Sequence, residues 1–277
     1  MRYSIFGCAL LAYFCTQGAL AQDVDYFALA PDQLLAAEVI SVSKKREKIA
    51  DTAAAIYVIT QEDIARSGVT TVPEALRMAP GVEVARADSN SWAITIRGFN
   101  GTITNKLLVM IDGRSVYNPL FAGTYWELQD YILEDIDRIE VIRGPGGAIW
   151  GANAVNGVIN IITKSASDTQ GNLISALYGN EEKGTVSARH GGSFGNDNYY
   201  RVYTKYFSRD SYRTPTGGEA NDDWQGGRSG FRADWGDSFT LQGDVYRVLS
   251  DQNNASVVLP APVIAEETME SQGANLL

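Results

Sequence analysis

His190 is the only histidine of the 277-residue chain, and it stands in a strand-like run beside Gly191-Gly192. A transition-metal site needs several His, Cys or carboxylate ligands at close spacing, and none surround it, so a structural or solvent-facing ring is expected. Gly113-Arg114-Ser115 opens like the turn that presents a hydrolase nucleophile. Tyr117 occupies the place of the closing glycine, however, and one distant histidine gives a triad little support. Gly144 to Gly147 is a glycine-rich turn without the Lys-Ser or Lys-Thr of a phosphate loop, and Ile149 stands where a dinucleotide fingerprint needs glycine. The acidic pairs Asp222-Asp223 and Glu266-Glu267 lack a calcium-loop pattern and read as solvated loop charge. The polar residues are not arranged for an enzyme, and no cofactor is expected. What remains is recognition: Asp88 to Trp92, and the aromatic-dense Tyr117 to Trp126 with Phe121 and Tyr125, lie between strand-like runs. Aromatics with nearby polar groups suit a ligand-facing surface or an internal contact, and the two readings stay open.

The elements that must position these residues fall into two halves. Thr60 to Asp63 and Thr71 to Glu74 read as capping boxes, opening helices that stop at Gly68 and at Pro80-Gly81. Ile56 to Ile59, Val82 to Val84, Ala93 to Arg97, Leu107 to Ile111, Arg138 to Arg143 and Gly157 to Thr163 read as strands, with a turn at Asp112-Gly113. Residues 54–163 are therefore expected to form an α+β unit. Beyond Ser165 to Gln170 the pattern becomes repeated strands with period two: Tyr200, Val202, Thr204 and Tyr206 alternate with Arg201, Tyr203, Lys205 and Phe207. Five strands are predicted, at Leu173 to Tyr178, Gly184 to His190, Tyr199 to Arg209, Gln225 to Trp235 and Phe239 to Val248, with a sixth beginning at Ala274 to Leu277. Gly236-Asp237 gives a tight turn, whereas Asp210 to Asp223 and Ser250 to Asn275 are predicted as long polar loops. A soluble sandwich shares the alternation, but the short-turn, long-loop rhythm favours a membrane barrel.

The first 21 residues carry one charge, Arg2, then an apolar run from Ile5 to Phe14, and end Ala19-Leu20-Ala21. This predicts a cleaved signal peptide and a mature start at Gln22, because the apolar run is shorter than the roughly 20 residues of a spanning helix. Both cysteines, Cys8 and Cys15, leave with it. The formal charge then falls from -10 to -11, with 22 basic against 33 acidic residues. Nucleic-acid binding, which rests on clustered positive charge, is not expected.

Three blocks in order, TIRGFNG (Thr95 to Gly101), NKLLVMIDGRSVYNPLFAGTYW (Asn105 to Trp126) and RIEVIRGPGGAIWGANAVNGVINIITK (Arg138 to Lys164), resemble the plug domain of TonB-dependent outer-membrane receptors. The likeness covers residues 38–164 closely and the rest by pattern. It implies an α+β plug followed by antiparallel transmembrane β-barrel strands, here an incomplete barrel. The implied divisions are a signal peptide at 1–21, an N-terminal extension at 22–45, the plug at 46–164, and barrel strands from 171 to 277.

The resemblance also implies a mechanism: import of a scarce nutrient, most often a ferric siderophore, energised from the inner membrane through TonB. Glu38, Val39, Ile40, Ser41 and Val42 match the place of the TonB box, which pairs with that periplasmic partner by strand addition; a plain first strand is the alternative. The implied substrate-facing loops carry Asp88, Asn90 and Trp92 and, further on, Tyr117, Phe121, Tyr125 and Trp126. Glu140 and Arg143 resemble plug residues that contact the barrel wall. Outer-membrane lipid is the remaining implied partner. A non-transporting periplasmic or surface binding module is the alternative function. Because a membrane barrel must close, five or six strands predict the N-terminal part of a longer receptor, or a truncated product unable to transport alone.

Overall fold

The computed structural model describes residues 38–39, 47–48, 55–103, 105–144, 146–214, 216–258 and 261–277. The predicted signal peptide lies outside them, as do Ile40, Ser41 and Val42 of the predicted box. Glu38–Val39 (β1) pairs antiparallel with Glu47–Lys48 (β2).

Ala55–Thr60 (β3) runs into the helix Gln61–Ser67 (α1), and Thr60 caps it as the sequence predicts. The Asp63 backbone N–H donates to Thr60 Oγ1 at 3.1 Å, and the Thr60 N–H donates to Asp63 Oδ2 at 2.9 Å. Gly68 ends the helix in the left-handed region, at φ 71°. The second predicted box does not form. Val72–Ala75 (α2) is a single turn that continues as a 3-10 turn over Leu76–Met78, and the Thr71 side chain makes no capping bond. Glu74, its expected partner, instead accepts from Arg77 Nε at 2.5 Å and from Trp92 Nε1 at 3.2 Å.

Val82–Arg86 (β4) and Trp92–Ile96 (β5) form an antiparallel pair. Leu107–Ile111 (β6) turns at Asp112-Gly113 into Arg114–Ser115 (β7). Both turn residues take positive φ, 49° and 83°, matching the twist of a two-residue hairpin. Ile136–Arg143 (β8), the short helix Gly147–Trp150 (α3) and Gly157–Thr163 (β9) complete the unit. The five-stranded sheet has the order β3-β8-β9-β6-β7, with β6 and β9 parallel. Strands β5 and β6 are buried along their whole length: Trp92, Ile94, Ile96, Leu107, Val109 and Ile111 lie in the core formed with Ile59, Leu76, Ile139, Val141, Ile159 and Ile161, while Leu108 and Met110 on the other face of β6 pack with Ile142, Ala154 and Val158. Gly157 is required where β9 enters: a Cβ there would stand 2.4 Å from the Ile142 carbonyl oxygen.

The second half is a six-stranded antiparallel sheet in sequential order: Gly171–Leu177 (β10), Glu182–Ser193 (β11), Asn198–Arg209 (β12), Trp224–Trp235 (β13), Phe239–Val258 (β14) and Ala261–Leu276 (β15). The predicted loop from Ser250 to Asn275 is thereby corrected to a long hairpin with Ser250 opposite Met269 and Val258 opposite Ala261. Polar composition misled there, because a strand needs only extended backbone and a paired neighbour, which β14 and β15 supply to each other. Val186, Val202, Tyr206, Phe231 and Val245 point away from the first unit and are exposed. Arg201, Lys205, Arg209 and Arg228, on the opposite face, are buried against it. Period two thus separates an apolar outer face from a charged inner one. At the end near Gly236 the outer face carries an aromatic group: Phe194 lies 5.4 Å from Trp235, and Trp235 lies 5.3 Å from Phe239. His190 joins this end, its Nδ1 2.8 Å from Asn172 Oδ1.

Candidate functional site

The inner face of the six-stranded sheet grips the first unit through polar contacts at both ends and in the middle. At the end carrying the long 210–223 loop, Asp88 Oδ1 accepts from the N–H groups of Asn90 (3.0 Å) and Ser91 (2.7 Å), which shapes a turn between β4 and β5. That turn inserts under the strand ends. Ser89 N–H donates to Asp222 Oδ2 at 2.8 Å, and the Ser89 hydroxyl donates to the Asp222 carbonyl. The other carboxylate oxygen of Asp222 accepts from Tyr212 N–H at 2.8 Å, so one side chain ties the loop to the turn. Asp222 is only 5 % exposed, which corrects its reading as a solvated loop charge. Beside it, the Arg86 guanidinium pairs with Glu181 and lies 4.6 Å from the Tyr212 ring.

Asn90 and Trp92, expected to face a ligand, face the wall. Asn90 donates from Nδ2 to the carbonyls of Asp222 (3.1 Å) and Asp251 (3.0 Å), joining the turn to two segments of the wall. Trp92 packs edge-on against Trp224, with ring centroids 5.7 Å apart. Asp88 is half-buried and serves the turn.

In the middle of the wall, Lys205 Nζ donates to Asp130 Oδ1 at 3.0 Å and to the Tyr131 carbonyl at 2.9 Å. Arg209 reaches Asp130 Oδ2 at 3.3 Å, an ion-pair contact without hydrogen-bond geometry, and donates from Nε to Glu182 at 2.6 Å. The same guanidinium lies 4.4 Å from the Phe207 ring and 4.5 Å from the Trp224 ring, which pack edge-on against each other at 4.7 Å. Burial pushes the Asp130 carboxyl up, but Arg209 and Lys205 outweigh it and hold the group below the ordinary aspartate value. Nearby Glu127 has no such cations. Burial, with Asp88 adding to it, raises its carboxyl to about 7.

At the opposite end Arg189 pairs with Asp135, and Arg201 donates to the Lys164 carbonyl (2.7 Å) and Thr163 Oγ1 (2.9 Å). Ala166 N–H donates to Asp234 Oδ2 at 2.7 Å, and Gln242 Nε2 to Asp112 Oδ2 at 3.0 Å. Glu140 is 0 % exposed and accepts from Arg138 Nε of its own strand at 2.8 Å, while Arg143 donates to the Pro80 carbonyl at 3.2 Å, both within the first unit.

The aromatic-dense segment divides. Trp126 is buried in the core. Tyr117, Phe121 and Tyr125 are half-buried, and the Phe121 and Tyr125 rings stack at 4.1 Å. Asn118 Oδ1 accepts from the N–H groups of Leu120 (2.9 Å) and Phe121 (3.1 Å), and Asn118 and Gly123 exchange backbone bonds at 2.7 and 3.3 Å. This stiff loop presents Leu120, 97 % exposed. Phe99 and Ile103, in the loop leading into the β6 end opposite Asp112, are exposed as well. Sequence reading missed these three apolar tips. It also missed Ser89, Asp130, Asp135 and the inner-wall cations, although Arg201, Lys205 and Arg209 recur on one strand face.

A model of the TonB-dependent receptor plug domain matches residues 48–158. The vitamin B12 transporter BtuB of Vibrio cholerae serotype O1 is 30 % identical over 196 residues, which are 71 % of this chain and 31 % of that protein. BtuB of Vibrio vulnificus is 30 % identical over 145 residues, 52 % of this chain and 23 % of that protein. The chain thus spans less than a third of the length of these relatives. Among solved structures, the pyoverdine outer-membrane receptor FpvA of Pseudomonas aeruginosa, bound to pyoverdine, superposes with a TM-score of 0.61 at 17 % identity over 77 % of this chain and 30 % of that one. A ferric enterobactin receptor (PfeA) variant from the same species gives 0.54 at 24 % identity over 72 % and 33 %. These likenesses in structure concern the fold.

Proposed function

We propose, from the premise that this chain belongs to the TonB-dependent receptors and carries their plug domain with adjoining barrel strands, that it serves import of a scarce ligand across the outer membrane. The observation that supports this best is the chemistry of the plug–wall contact. It is made of ion pairs and hydrogen bonds, Asp130 to Lys205 and Arg209, Asp135 to Arg189, and Asn90 and Ser89 to Asp222. Such polar contacts can be taken over by water when the plug shifts, whereas a wholly apolar seam would resist wetting.

The ligand docks on the plug loops that present Phe99, Ile103, Leu120 and the half-buried Tyr117, Phe121 and Tyr125. Glu38 to Val42 is offered to TonB, whose pull supplies the energy, and the mature protein starts at Gln22 in the outer membrane. A ferric siderophore is the cargo proposed first. Cobalamin is the second reading, favoured by the 30 % identity to BtuB over 71 % of the chain. Growth of a receptor-deletion strain under separate iron and cobalamin limitation decides between them: a defect under iron limitation alone supports the first, a defect under cobalamin limitation alone the second, and no defect under either defeats the transport reading.

A further inference from the structure

The cations of the inner wall are out of proportion to a merely structural seam. Arg189, Arg201, Lys205, Arg209, Arg228 and Arg232 project inward from three neighbouring strands, β11, β12 and β13. Against these six the inward face of the same strands and of β14 sets three carboxylates in contact with them: Glu182 with Arg209, Asp234 with Arg232 and Asp244 with Arg228. The excess of three positive charges is met from the plug, by Asp130 on Lys205 and Arg209, Asp135 on Arg189, and Asp112, whose carboxylate shares Thr163 Oγ1 with Arg201. The plug therefore supplies the counter-charge of the wall. Any movement that withdraws Asp112, Asp130 and Asp135 leaves a cationic band running from Arg209, near the long-loop end, to Arg201 and Arg189, near the opposite end. Cations lining a confined passage between low-dielectric walls concentrate anions there.

We infer that this band is a track for an anionic ligand, masked by plug carboxylates at rest and uncovered when the plug is displaced. The inference rests on the transport reading and deepens it. It selects a multiply anionic cargo, such as an iron chelate whose catecholate or carboxylate donors outnumber the charges on the metal, over a neutral one that would gain nothing from the band. Arg201 and Arg232 fit the role well, since both reach Thr163 Oγ1 and Arg201 spends its remaining bond on the neutral Lys164 carbonyl.

The test uses a closed-barrel receptor carrying these residues, reconstituted in a planar bilayer, with potassium chloride as the probe and urea on the plug side to loosen the plug. The reversal potential across a salt gradient gives the chloride-to-potassium permeability ratio. A ratio above one, reduced by roughly twofold or more in Arg201→Gln, restored in Arg201→Lys and unchanged in the outward-facing Arg247→Gln, is the expected result. A ratio at or below one, equal ratios in Arg201→Gln and the parent, or no added conductance when the plug loosens would each overturn the inference. Growth under iron or cobalamin limitation is read separately, so a failed growth test and a failed selectivity test point to different errors.

Discussion

Asp130 of the plug lies 3.0 Å from Lys205 of the barrel wall, both nearly buried, with Arg209 on its other carboxylate oxygen. One plug carboxylate thus answers two wall cations, and its loss strands both in a site of low dielectric. Breaking a buried pair of this kind costs about 3–5 kcal/mol. Asp130→Asn is therefore expected to lower plug stability by that order, while Asp130→Asn with Lys205→Gln costs less, because Arg209 keeps Glu182. Urea unfolding of the plug followed by tryptophan fluorescence checks both, with Lys205→Gln alone completing the cycle; a double-variant loss equal to the sum of the two single losses would show that the pair is not coupled.

The two buried carboxyls of this region titrate in opposite senses. Asp130 is held below its ordinary value, so the stability it contributes is present above the unfolded pKa, near 3.9, and disappears as pH falls through the lower folded value. Glu127 is raised to about 7, so its folded form keeps a proton that the unfolded chain gives up near 4.3. Stability linked to Glu127 is full below that unfolded value and is lost as pH climbs to about 7. Glu127→Gln should consequently stabilise the plug at pH 8, by on the order of 3 kcal/mol at most, and change little at pH 4. Parallel stability curves for parent and variant across that range would contradict the assignment.

Much of the plug was legible because its elements are locally specified. Thr60 with Asp63, Asp112 with Gly113, and the unbroken apolar run Leu107 to Ile111 each impose one geometry whatever surrounds them. The inward face of the wall was legible as polar, but not as a partner of the plug, because the Asp130–Lys205 and Asn90–Asp222 contacts join residues far apart in sequence. Local reading sends such charges to solvent, which is how Asp222 was taken for a solvated loop residue. For Asn90 and Trp92 the sequence left a ligand-facing and an internal contact open, and only the folded wall brings the Asp222 and Asp251 carbonyls and the Trp224 ring against them.

Those carbonyls give a third expectation. Asn90→Ala removes the donor from the Asp251 carbonyl and one of the two donors, beside the Ser89 hydroxyl, from the Asp222 carbonyl, a penalty of about 1–3 kcal/mol that falls on the junction between the plug turn and the 210–223 loop. The loop should become more sensitive to limited proteolysis at Arg213 while the remainder of the plug keeps its protection. Unchanged cleavage would mean that Asp222, through Ser89 and Tyr212, holds the junction without Asn90.

Recruitment of TonB by Glu38 to Val42 is tested through the backbone, since strand addition depends on main-chain donors and extended geometry. In a closed-barrel receptor Ile40→Pro removes a donor and fixes φ, and is expected to abolish uptake with ligand binding nearly intact, whereas Ile40→Ala should do less. Normal uptake by the proline variant would place the box elsewhere.

Leu120 offers the most direct test of the ligand face. Its side chain is 97 % exposed, and the turn beneath it is fixed by Asn118 and by the Asn118–Gly123 backbone bonds, none of which involve the leucine side chain. Replacing it therefore leaves the fold's hydrogen bonds in place, and the stability change should stay within about 0.5 kcal/mol. A ligand that packs on this tip would meet a solvated carboxylate in Leu120→Asp and, if it is anionic, a repelling charge as well. Equilibrium binding of ferric chelate to receptor-bearing cells should weaken by roughly tenfold in Leu120→Asp, the loss of about 1.4 kcal/mol of apolar contact, and less in Leu120→Ala. Asp is the sharper variant because it separates a ligand contact from a spectator tip: a merely exposed leucine tolerates either change, so unaltered binding in both would move the ligand face away from this loop.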